Sequence, residues 1–391
     1  MAIEGRGDGR DGRRIRLGMV GGGQGAFIGA VHRLAARMDD QYEFAAGALS
    51  SDPARARASG DELGLAPDRI YTDFKEMARK EAKRADGIEA VAIVTPNHLH
   101  YPIARAFMEA GIHVICDKPL ALSTKEAKAL MDLQTKTGLI FGLTHNYSGY
   151  PMIRQARDMA RGGELGPLRV VQAEYPQDWL TTYLEATGQK QASWRTDPRY
   201  TGAGGCIGDI GTHAYQLACY VTGLKLDQIS AELTTFVKGR KVDDNVHIML
   251  RFRGGARGML WASQVAPGNE NGLKLRVYGE KGGIEWTQAD PNYLWYTPYG
   301  EPKRLLTRGG AGSNASAARV TRVPPGHPEG YLEGFANIYT EVARAIRARR
   351  QGKKSWGKDV SFPDLTDGYE GMAFIEAAVK SSKANGRWIK A

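Results

Sequence analysis

The chain has 391 residues, and its 53 Lys and Arg against 43 Asp and Glu give a formal net charge of +10. Hydrophobic residues at 42% and charged residues at 25% exclude a disordered or fibrous chain and predict a folded protein long enough for two domains. No run approaches the ~18 uninterrupted apolar residues of a membrane helix, so we expect no membrane partner. The basic residues are scattered without a nucleic-acid-binding motif, so we expect no nucleic-acid partner either.

The cysteine and histidine content argues against disulfides and metals. The 3 cysteines are Cys116, Cys206 and Cys219, an odd number without a CxxC pair. This usage is typical of a chain in a reducing compartment, and we expect a cytoplasmic protein. The 8 histidines show no metal-ligand spacing, so we predict no metal.

Strands and helices alternate along the first part of the chain. Residues 1–13 mix charge and glycine without apolar periodicity, which predicts a flexible head. From there, apolar runs predict strands at 16–20, 42–49, 87–94, 112–116 and 139–144, with helices at 26–37, from Asp52 onward, at 100–109 and at 123–136. The alternation predicts one α/β domain over residues 14–148, with a parallel sheet between helices.

The pattern changes after Pro151. A helix to about residue 161 precedes predicted strands at 168–175, 229–237, 246–252, 258–264 and 273–278 that have no long helices between them. We therefore predict a second, α+β domain over residues 149–391, built on an open, largely antiparallel mixed sheet. Two late helices, at 331–349 and 368–385, are candidates for packing back on the first domain.

A glycine cluster follows the first predicted strand. Gly21, Gly23 and Ala26 fit the GxGxxA variant of the dinucleotide fingerprint at the start of a helix, with Gln24 inside the turn. Glycines there allow the backbone to approach a pyrophosphate, which the amides of the helix N-terminus then bind. The alternative is a glycine-rich structural turn.

The residues at the end of the second predicted strand do not decide between NAD and NADP. An acidic residue at this place usually binds the adenosine ribose. Here the strand ends Leu49-Ser50-Ser51, and Ser50, Ser51 and Arg55 would suit a 2′-phosphate. Asp52 lies near enough to take the acidic role, so both NAD and NADP remain candidates.

Polar residues follow the next two strands at the sheet edge where ligands bind in open α/β folds. Thr95, Asn97 and His100 come after the third strand, and Asp117 and Lys118 come after the fourth. The charge of such a lysine stabilises a developing alkoxide. The alternatives are a helix-capping turn for the first group and a solvated surface lysine for the second.

Asp209 and His213 are four residues apart in a glycine-rich stretch. On a helix they share one face, and a carboxylate beside an imidazole is suited to acid/base chemistry near neutral pH. Alone, such a pair is more often a contact on a helix surface.

Taken together, the motifs GGGQGA (21–26), TPNHLH (95–100), DKP (117–119) and GDIGTH (208–213) resemble the Gfo/Idh/MocA family of NAD(P)-dependent sugar and polyol oxidoreductases. The resemblance implies an N-terminal Rossmann domain followed by an open-sheet domain that pairs in homodimers or homotetramers. It implies Lys118, Asp209 and His213 as catalytic residues. Asp117 stands where the family has glutamate, and together with Lys118 it would face the cofactor.

The resemblance also suggests a substrate side. Softer matches to sugar dehydrogenases propose substrate contacts, because aromatic rings and planar donors suit sugar rings. These residues are Asn146, Tyr147, Gln177, Trp179, Trp194, Arg195, His213 and His327. For Trp179 and Trp194, the alternative prediction of a core residue is as good as that of a substrate contact.

The implied reaction is hydride transfer between a carbinol carbon of a sugar or cyclitol and nicotinamide. His213 would act as base, Lys118 would stabilise the oxyanion and Asp209 would position substrate or imidazole. One alternative is an NAD-dependent glycosidase that oxidises C3 transiently and eliminates the aglycone. Another is a non-catalytic dinucleotide-binding sensor.

Overall fold

The computed structural model describes residues 13–353, 355–357 and 359–391. The predicted flexible head at 1–13 therefore lies outside the described residues, apart from Arg13. The chain divides into two compact units. The first comprises the residues up to Ala121, Lys125–Gly149 and Tyr331–Tyr369, and the second comprises Leu122–Thr124, Tyr150–Gly330 and Glu370–Ala391.

Strands and helices alternate up to residue 143. They are β1 (Ile15–Gly21), α1 (Phe27–Met38), β2 (Tyr42–Ala48), α2 (Pro53–Glu62), α3 (Phe74–Glu81), β3 (Ala90–Val94), α4 (His100–Glu109), β4 (His113–Cys116), α5 (Thr124–Thr137) and β5 (Phe141–Leu143). The 5 strands form one parallel sheet in the order β2-β1-β3-β4-β5. The predicted parallel α/β fold is confirmed.

Local chemistry explains several of these boundaries. Asp52 begins α2 by accepting a hydrogen bond from the Arg55 amide at 2.7 Å, and Asp73 begins α3 by accepting one from the Glu76 amide at 2.7 Å. Strand β3 reads AVAIV and is buried along its whole length, as expected for a strand covered on both faces.

The later elements are dominated by strands. They are α6 (Pro151–Arg161), β6 (Leu168–Pro176), α7 (Lys190–Arg195), α8 (Pro198–Thr201), α9 (Thr212–Thr222), β7 (Leu226–Thr234), β8 (Asn245–Phe252), β9 (Arg257–Ser263), β10 (Lys274–Gly279), β11 (Gly282–Thr287), β12 (Tyr293–Pro298), β13 (Arg304–Thr307), α10 (Ala315–Arg319), α11 (Tyr331–Arg350), α12 (Leu365–Lys383) and β14 (Ile389–Lys390). A π turn over Ile207–Gly211 leads directly into α9.

The second sheet has 9 strands in the order β13-β12-β11-β10-β6-β9-β8-β7-β14. Every neighbouring pair is antiparallel except β6 and β9. Along β8, buried Val246, Ile248 and Leu250 alternate with outward-facing residues such as Met249, so one face is buried and the other is exposed. The predicted open, largely antiparallel mixed sheet is confirmed.

Helix α11 belongs to the core of the first unit, although it follows β6 to β13 of the second unit in the chain. Phe335, Tyr339 and Val342 are buried in one cluster with residues of β1 and α1, among them Leu17. The Tyr339 hydroxyl lies 2.8 Å from Nδ1 of the buried His32. The first unit thus completes its core with residues that follow Tyr150–Gly330 of the second unit in sequence.

Candidate active site

The glycine turn after β1 has the conformation that its sequence requires. Gly21 and Gly22 have φ of 83° and 73°, values that side chains other than glycine rarely adopt. A Cβ on Gly29 would lie 2.4 Å from the Gly22 Cα, and a Cβ on Gly23 would lie 2.7 Å from the Leu49 carbonyl oxygen. The turn is therefore packed backbone against backbone between α1 and the end of β2.

The other predicted residues of this turn also have defined partners. The Gln24 amide donates to Ser59 Oγ at 3.0 Å, and its side-chain amide donates to Glu62 at 3.0 Å. Ala26 occupies the cap position of α1. Sequence reasoning missed Arg33, whose guanidinium donates to the Gly22 carbonyl at 2.9 Å, because its distance along the helix gives no sign of that contact.

The residues after β2 form the start of α2. The Asp52 carboxylate accepts from the Arg55 amide, and Ser50 Oγ accepts from the Asp52 amide at 3.1 Å. Ser51 and Arg55 have exposed side chains. Asp52 is thus used as a helix cap, which favours the serine and arginine side chains as the candidate cofactor contacts here.

Thr95 and Asn97 lie at the end of β3. The Thr95 hydroxyl is buried and has no hydrogen-bond partner among the described residues. Asn97 is buried in a short 3-10 turn, Asn97–Leu99. Both placements leave polar groups at the edge where the cofactor was predicted.

His100, predicted to contact the cofactor, lies where the ends of β3 and β4 meet. Its ring is buried, with Nδ1 2.6 Å from the Pro119 carbonyl oxygen and Nε2 2.9 Å from the Thr95 carbonyl oxygen. Both ring nitrogens therefore face the backbone, and the side chain joins the ends of β3 and β4. Motif matching could not distinguish this role from ligand contact.

Lys118 follows β4, and the Lys118–Pro119 peptide bond is cis. The Asp117 carboxylate accepts from the Lys118 amide at 3.0 Å and from the Thr144 hydroxyl at 3.0 Å. Burial, together with the Lys118 charge, lowers the pKa of His145 to about 3. His145 is therefore neutral at physiological pH, and Lys118 supplies positive charge at this strand end.

Asn146 and Tyr147 lie in a buried 3-10 turn, Asn146–Gly149, after β5. The Asn146 side-chain nitrogen has no hydrogen-bond partner among the described residues. A dinucleotide fits this unit: the glycine turn offers backbone amides, while Thr95 Oγ1 and Asn146 Nδ2 are buried polar atoms that a ligand would satisfy.

In the second unit, Asp209 and His213 lie on one helical segment. The turn that carries Asp209 is a π turn, in which the Thr212 amide bonds to the Ile207 carbonyl. Gln264 donates its side-chain amide to Asp209 Oδ2 at 2.8 Å, and Arg195 Nε lies 3.5 Å from the same oxygen. The Tyr175 ring stands edge-on to the His213 ring, with 6.2 Å between centroids.

A hydrogen-bond network extends from Tyr175. Asn271 Oδ1 accepts from the Tyr175 hydroxyl at 2.7 Å and from the Gln177 amide at 2.8 Å. Gln177 in turn accepts from Trp179 Nε1 at 3.1 Å. The predicted residues Gln177 and Trp179 are thus joined to the His213 neighbourhood, through Asn271 and Tyr175, which sequence reasoning missed.

Other predicted substrate residues have different settings. The Arg195 guanidinium lies 4.2 Å from the centroid of the half-buried Trp194 ring, so this pair stands beside Asp209. His327 is exposed in a loop, and its carbonyl accepts a hydrogen bond from Arg308.

The described residues contain neither a metal-binding cluster nor a membrane-spanning helix. No group of 3 or more His, Cys, Asp or Glu side chains is arranged to hold a metal ion in the part of the chain that the structure describes. Within that same part, no helix has both the length and the apolar character needed to cross a membrane.

Comparison with known families defines the class. Residues 15–145 match a model described as an oxidoreductase family with an NAD-binding Rossmann fold. Residues 153–285 match the GFO/IDH/MocA C-terminal domain. The chain therefore belongs to the Gfo/Idh/MocA oxidoreductase family, and the predicted family, fold class and NAD-type cofactor are confirmed.

Individual relatives agree with this placement. Levoglucosan dehydrogenase of Pseudarthrobacter phenanthrenivorans is 29% identical, covering 96% of this chain and 98% of the relative. An oxidoreductase structure from Sinorhizobium meliloti is 58% identical, with a TM-score of 0.88, 97% of this chain covered and 100% of the other. An inositol dehydrogenase homolog from Azotobacter vinelandii, complexed with NADH and myo-inositol, is 35% identical with a TM-score of 0.91, covering 97% and 98%.

Proposed function

We propose that the chain is an NAD(P)-dependent dehydrogenase that acts on a carbinol carbon of a sugar, sugar derivative or cyclitol. The observation that carries this proposal is the Asp209–His213 segment, with the Tyr175–Asn271–Gln177–Trp179 network beside it. This set combines an acid/base pair with aromatic and amide groups that recognise polyols. The similarity to levoglucosan dehydrogenase and to the inositol dehydrogenase homolog supports the substrate class.

The residues of the chain take distinct roles in this proposal. His213 accepts the hydroxyl proton, and Asp209, held by Gln264 and Arg195, orients the imidazole or the substrate. Lys118 stabilises the alkoxide with its positive charge. When bound, the nicotinamide supplies the hydride acceptor.

Two groups of residues would hold the cofactor. The amides of the glycine turn suit the pyrophosphate, and Thr95 Oγ1 and Asn146 Nδ2 would receive partners from the ligand. Ser50, Ser51 and Arg55 stand where the adenosine ribose or its 2′-phosphate would be read. In this proposal, Ser50, Ser51 and Arg55 determine the preference between NAD and NADP.

We infer a homodimer or homotetramer through the outer face of the 9-stranded sheet. Val170, Met249, Met259 and Trp295 are 39%, 59%, 47% and 42% exposed on outward positions of its strands. Large apolar side chains repeated across an open sheet are typical of a face that another chain covers. Light scattering should give a multiple of the 42.7 kDa chain mass, and Met249→Lys should shift it toward that mass.

The cysteines support a reducing, cytoplasmic location. Cys116, Cys206 and Cys219 are all free thiols, and the first two are buried. Chains in oxidising compartments usually place such residues in disulfides. Fractionation of cells that express the natural gene tests the location.

The deciding experiment incubates the purified protein with NAD or NADP and a panel of sugars, cyclitols and glycosides. Mass spectrometry then identifies the products and the state of the cofactor. A keto product with stoichiometric reduced cofactor supports the dehydrogenase. A cleaved glycoside with unchanged cofactor would indicate the glycosidase reaction, and tight cofactor binding without turnover would indicate a sensor.

Two variants test the assigned roles. Lys118→Ala and His213→Ala should each lower kcat by at least about 100-fold, because each removes a group that acts on the reacting hydroxyl. The Kd for the cofactor should change far less than kcat in both. Unchanged turnover in either variant would exclude the role given to that residue.

A further inference from the structure

Asp243 holds the start of the helical segment that carries Asp209 and His213. Three successive backbone amides bind to this one residue: Gly205 N–H donates to Oδ1 at 2.7 Å, Cys206 N–H to the Asp243 carbonyl at 2.9 Å and Ile207 N–H to Oδ2 at 2.8 Å. The first amides of a helix lack partners within the helix. Here they all receive a partner from one side chain and its backbone.

The fit between Asp243 and this helix start is tight. Asp243 is 7% exposed, and a Cβ on Gly205 would lie 2.4 Å from the Asp243 carbonyl oxygen. Glycine at 205 is therefore needed for the close approach. Asp209 is only two residues beyond the last of these amides, so little backbone separates the anchor from the candidate catalytic carboxylate.

A second route leads from the next residue to Asp209. The Asp244 carbonyl accepts a hydrogen bond from the backbone N–H of Gln264 at 2.8 Å. The side-chain Nε2 of Gln264 donates to Asp209 Oδ2, also at 2.8 Å. Asp243 thus holds the backbone just before Asp209. The adjacent residue Asp244 holds Gln264, whose side chain binds the Asp209 carboxylate.

The same turn also anchors the segment after Trp179. The buried Arg240 side chain donates to Asp244 at 3.1 Å, to the Leu180 carbonyl at 2.9 Å and to the Thr182 carbonyl at 3.0 Å. The connection between β7 and β8 therefore contacts both the helical segment that carries Asp209 and the segment that follows Trp179.

We propose that Asp243 is a positioning residue for catalysis, which sets the orientation of Asp209 and His213 by holding the start of their helix. This inference rests on the proposed dehydrogenase function for its kinetic consequence. A misplacement of catalytic groups of about 1 Å lowers turnover by up to about 100-fold without weakening a remote ligand site. Substitution of Asp243 should therefore change kcat rather than affinity for the cofactor.

The charge state of Asp243 offers an additional readout. Burial raises its pKa to about 6, Asp244 adds to the increase, and the amides of Ile207 and Gly205 oppose it. Cys206 on the helical segment and Asp244 on the turn interact with the Asp243 charge, Asp209 also acts on Cys206, and Asp244 pairs with Arg240. An uncharged side chain at 243 should therefore alter the acid side of the pH–kcat profile near pH 6.

The test compares Asp243→Asn with a matched carboxylate-to-amide change. Asparagine keeps one acceptor oxygen but places an NH₂ group against one of the two amides that the carboxylate binds. We expect kcat to fall by about 10- to 100-fold, with the cofactor Kd within about twofold. The control Glu81→Gln alters a buried carboxylate that also accepts a backbone amide, that of Ile88, and should keep kcat within about twofold.

Gly205→Ala provides a second variant that leaves every charge in place. Its added Cβ would displace the helix start from Asp243, so kcat should fall as in Asp243→Asn while the cofactor Kd stays unchanged. If Asp243→Asn does not fold, this variant carries the kinetic test. Unchanged kcat in both variants, or in the one that folds, overturns the proposal.

Hydrogen exchange provides a measurement that does not need turnover. The amides of Gly205, Cys206 and Ile207 should exchange faster in Asp243→Asn and Gly205→Ala than in the wild-type protein or in Glu81→Gln. Unchanged exchange would show that Asp243 does not hold the helix start. A wild-type protein that turns over no sugar or cyclitol would overturn the proposed function and the kinetic role together, whereas a normal wild-type rate with unaffected variants would overturn the positioning role alone.

Discussion

Gly29 of α1 packs against the backbone of Gly22, so close that a Cβ on Gly29 would lie 2.4 Å from the Gly22 Cα. This contact joins the helix to the turn that offers its amides to the cofactor. We expect Gly29→Ala to push α1 away from the turn, lowering the free energy of unfolding by about 1–3 kcal/mol. The affinity for NAD should fall by about tenfold, because the amides lose their alignment. Denaturant titration and calorimetric binding measure the two effects.

The control for this change is Gly371→Ala. Gly371 lies within α12, and nothing lies within 4 Å of the position where its Cβ would stand. Alanine should therefore stabilise the helix by up to about 1 kcal/mol. Similar losses of stability in both variants would contradict the explanation based on the Gly22–Gly29 contact.

His100→Leu tests whether the imidazole joins the ends of β3 and β4. The ring nitrogens lie beside the carbonyl oxygens of Pro119 and Thr95, and a leucine side chain has no N–H group to donate to either oxygen. We expect the free energy of unfolding to fall by about 1–3 kcal/mol, since a buried acceptor loses its partner. kcat should fall as well, because Pro119 follows Lys118. His327→Leu alters an exposed ring and should change stability by less than about 0.5 kcal/mol.

Tyr175→Phe should weaken substrate binding. The phenyl ring keeps its place beside His213, but Asn271 loses the hydroxyl that donates to its Oδ1 at 2.7 Å. Asn271 then holds Gln177 less firmly, and if about 1 kcal/mol of substrate binding depends on this order, KM rises by about fivefold. The exposed Tyr299→Phe is the control, with no expected change in KM. An unaltered KM in Tyr175→Phe would show that the network does not act on the substrate.

Acid should destabilise the protein through its buried histidines. Burial lowers the pKa of His32 to about 4 and that of His145 to about 3. Between these values and the ordinary pKa of about 6.5, the unfolded chain binds protons that the folded chain does not. The stability that each group contributes is thus fully present above pH 6.5 and is lost as the pH falls toward 4. Asp243, whose pKa is raised to about 6, acts in the opposite sense in part of this range.

Denaturant titrations from pH 7.5 to 4.5 measure this dependence. Each fully responding histidine contributes a slope of up to about 1.4 kcal/mol per pH unit. His32→Asn should reduce the slope of the wild-type curve by about one such contribution. His327→Asn, at an exposed position, should leave it unchanged. Equal slopes in all three proteins would contradict the assignment to His32.

The features that the sequence predicted are those encoded locally. The alternation of apolar runs indicates a parallel sheet, and glycines at fixed spacing after a strand indicate the turn at Gly21. The contacts around the candidate site join residues far apart in the chain. Gln264 and Asp209 are 55 residues apart, and Asn271 and Tyr175 are 96 apart. No local pattern indicates which strand ends come together, so these partners become visible only in the folded sheet.

Local patterns also leave the shape of the helical segment undecided. A four-residue spacing between Asp209 and His213 suggests an α-helical face, but the structure has a π turn over Ile207–Gly211. The first amide of this turn, that of Ile207, donates to Asp243, which lies 36 residues further along the chain. His100 illustrates the same difficulty, because a motif names a residue without showing whether its side chain faces a ligand or a carbonyl.

The position of α11 has a consequence for synthesis of the chain on the ribosome. Tyr331–Arg350 supplies Phe335, Tyr339 and Val342 to the core of a unit whose strands are all made before residue 144. Domains generally fold as units during synthesis, beginning at the N-terminus. This one cannot do so, because part of its interior is translated only after the entire second sheet up to β13. The apolar surface that α11 covers must wait for most of the chain to emerge, and a nascent chain stalled before residue 331 would present it to chaperones.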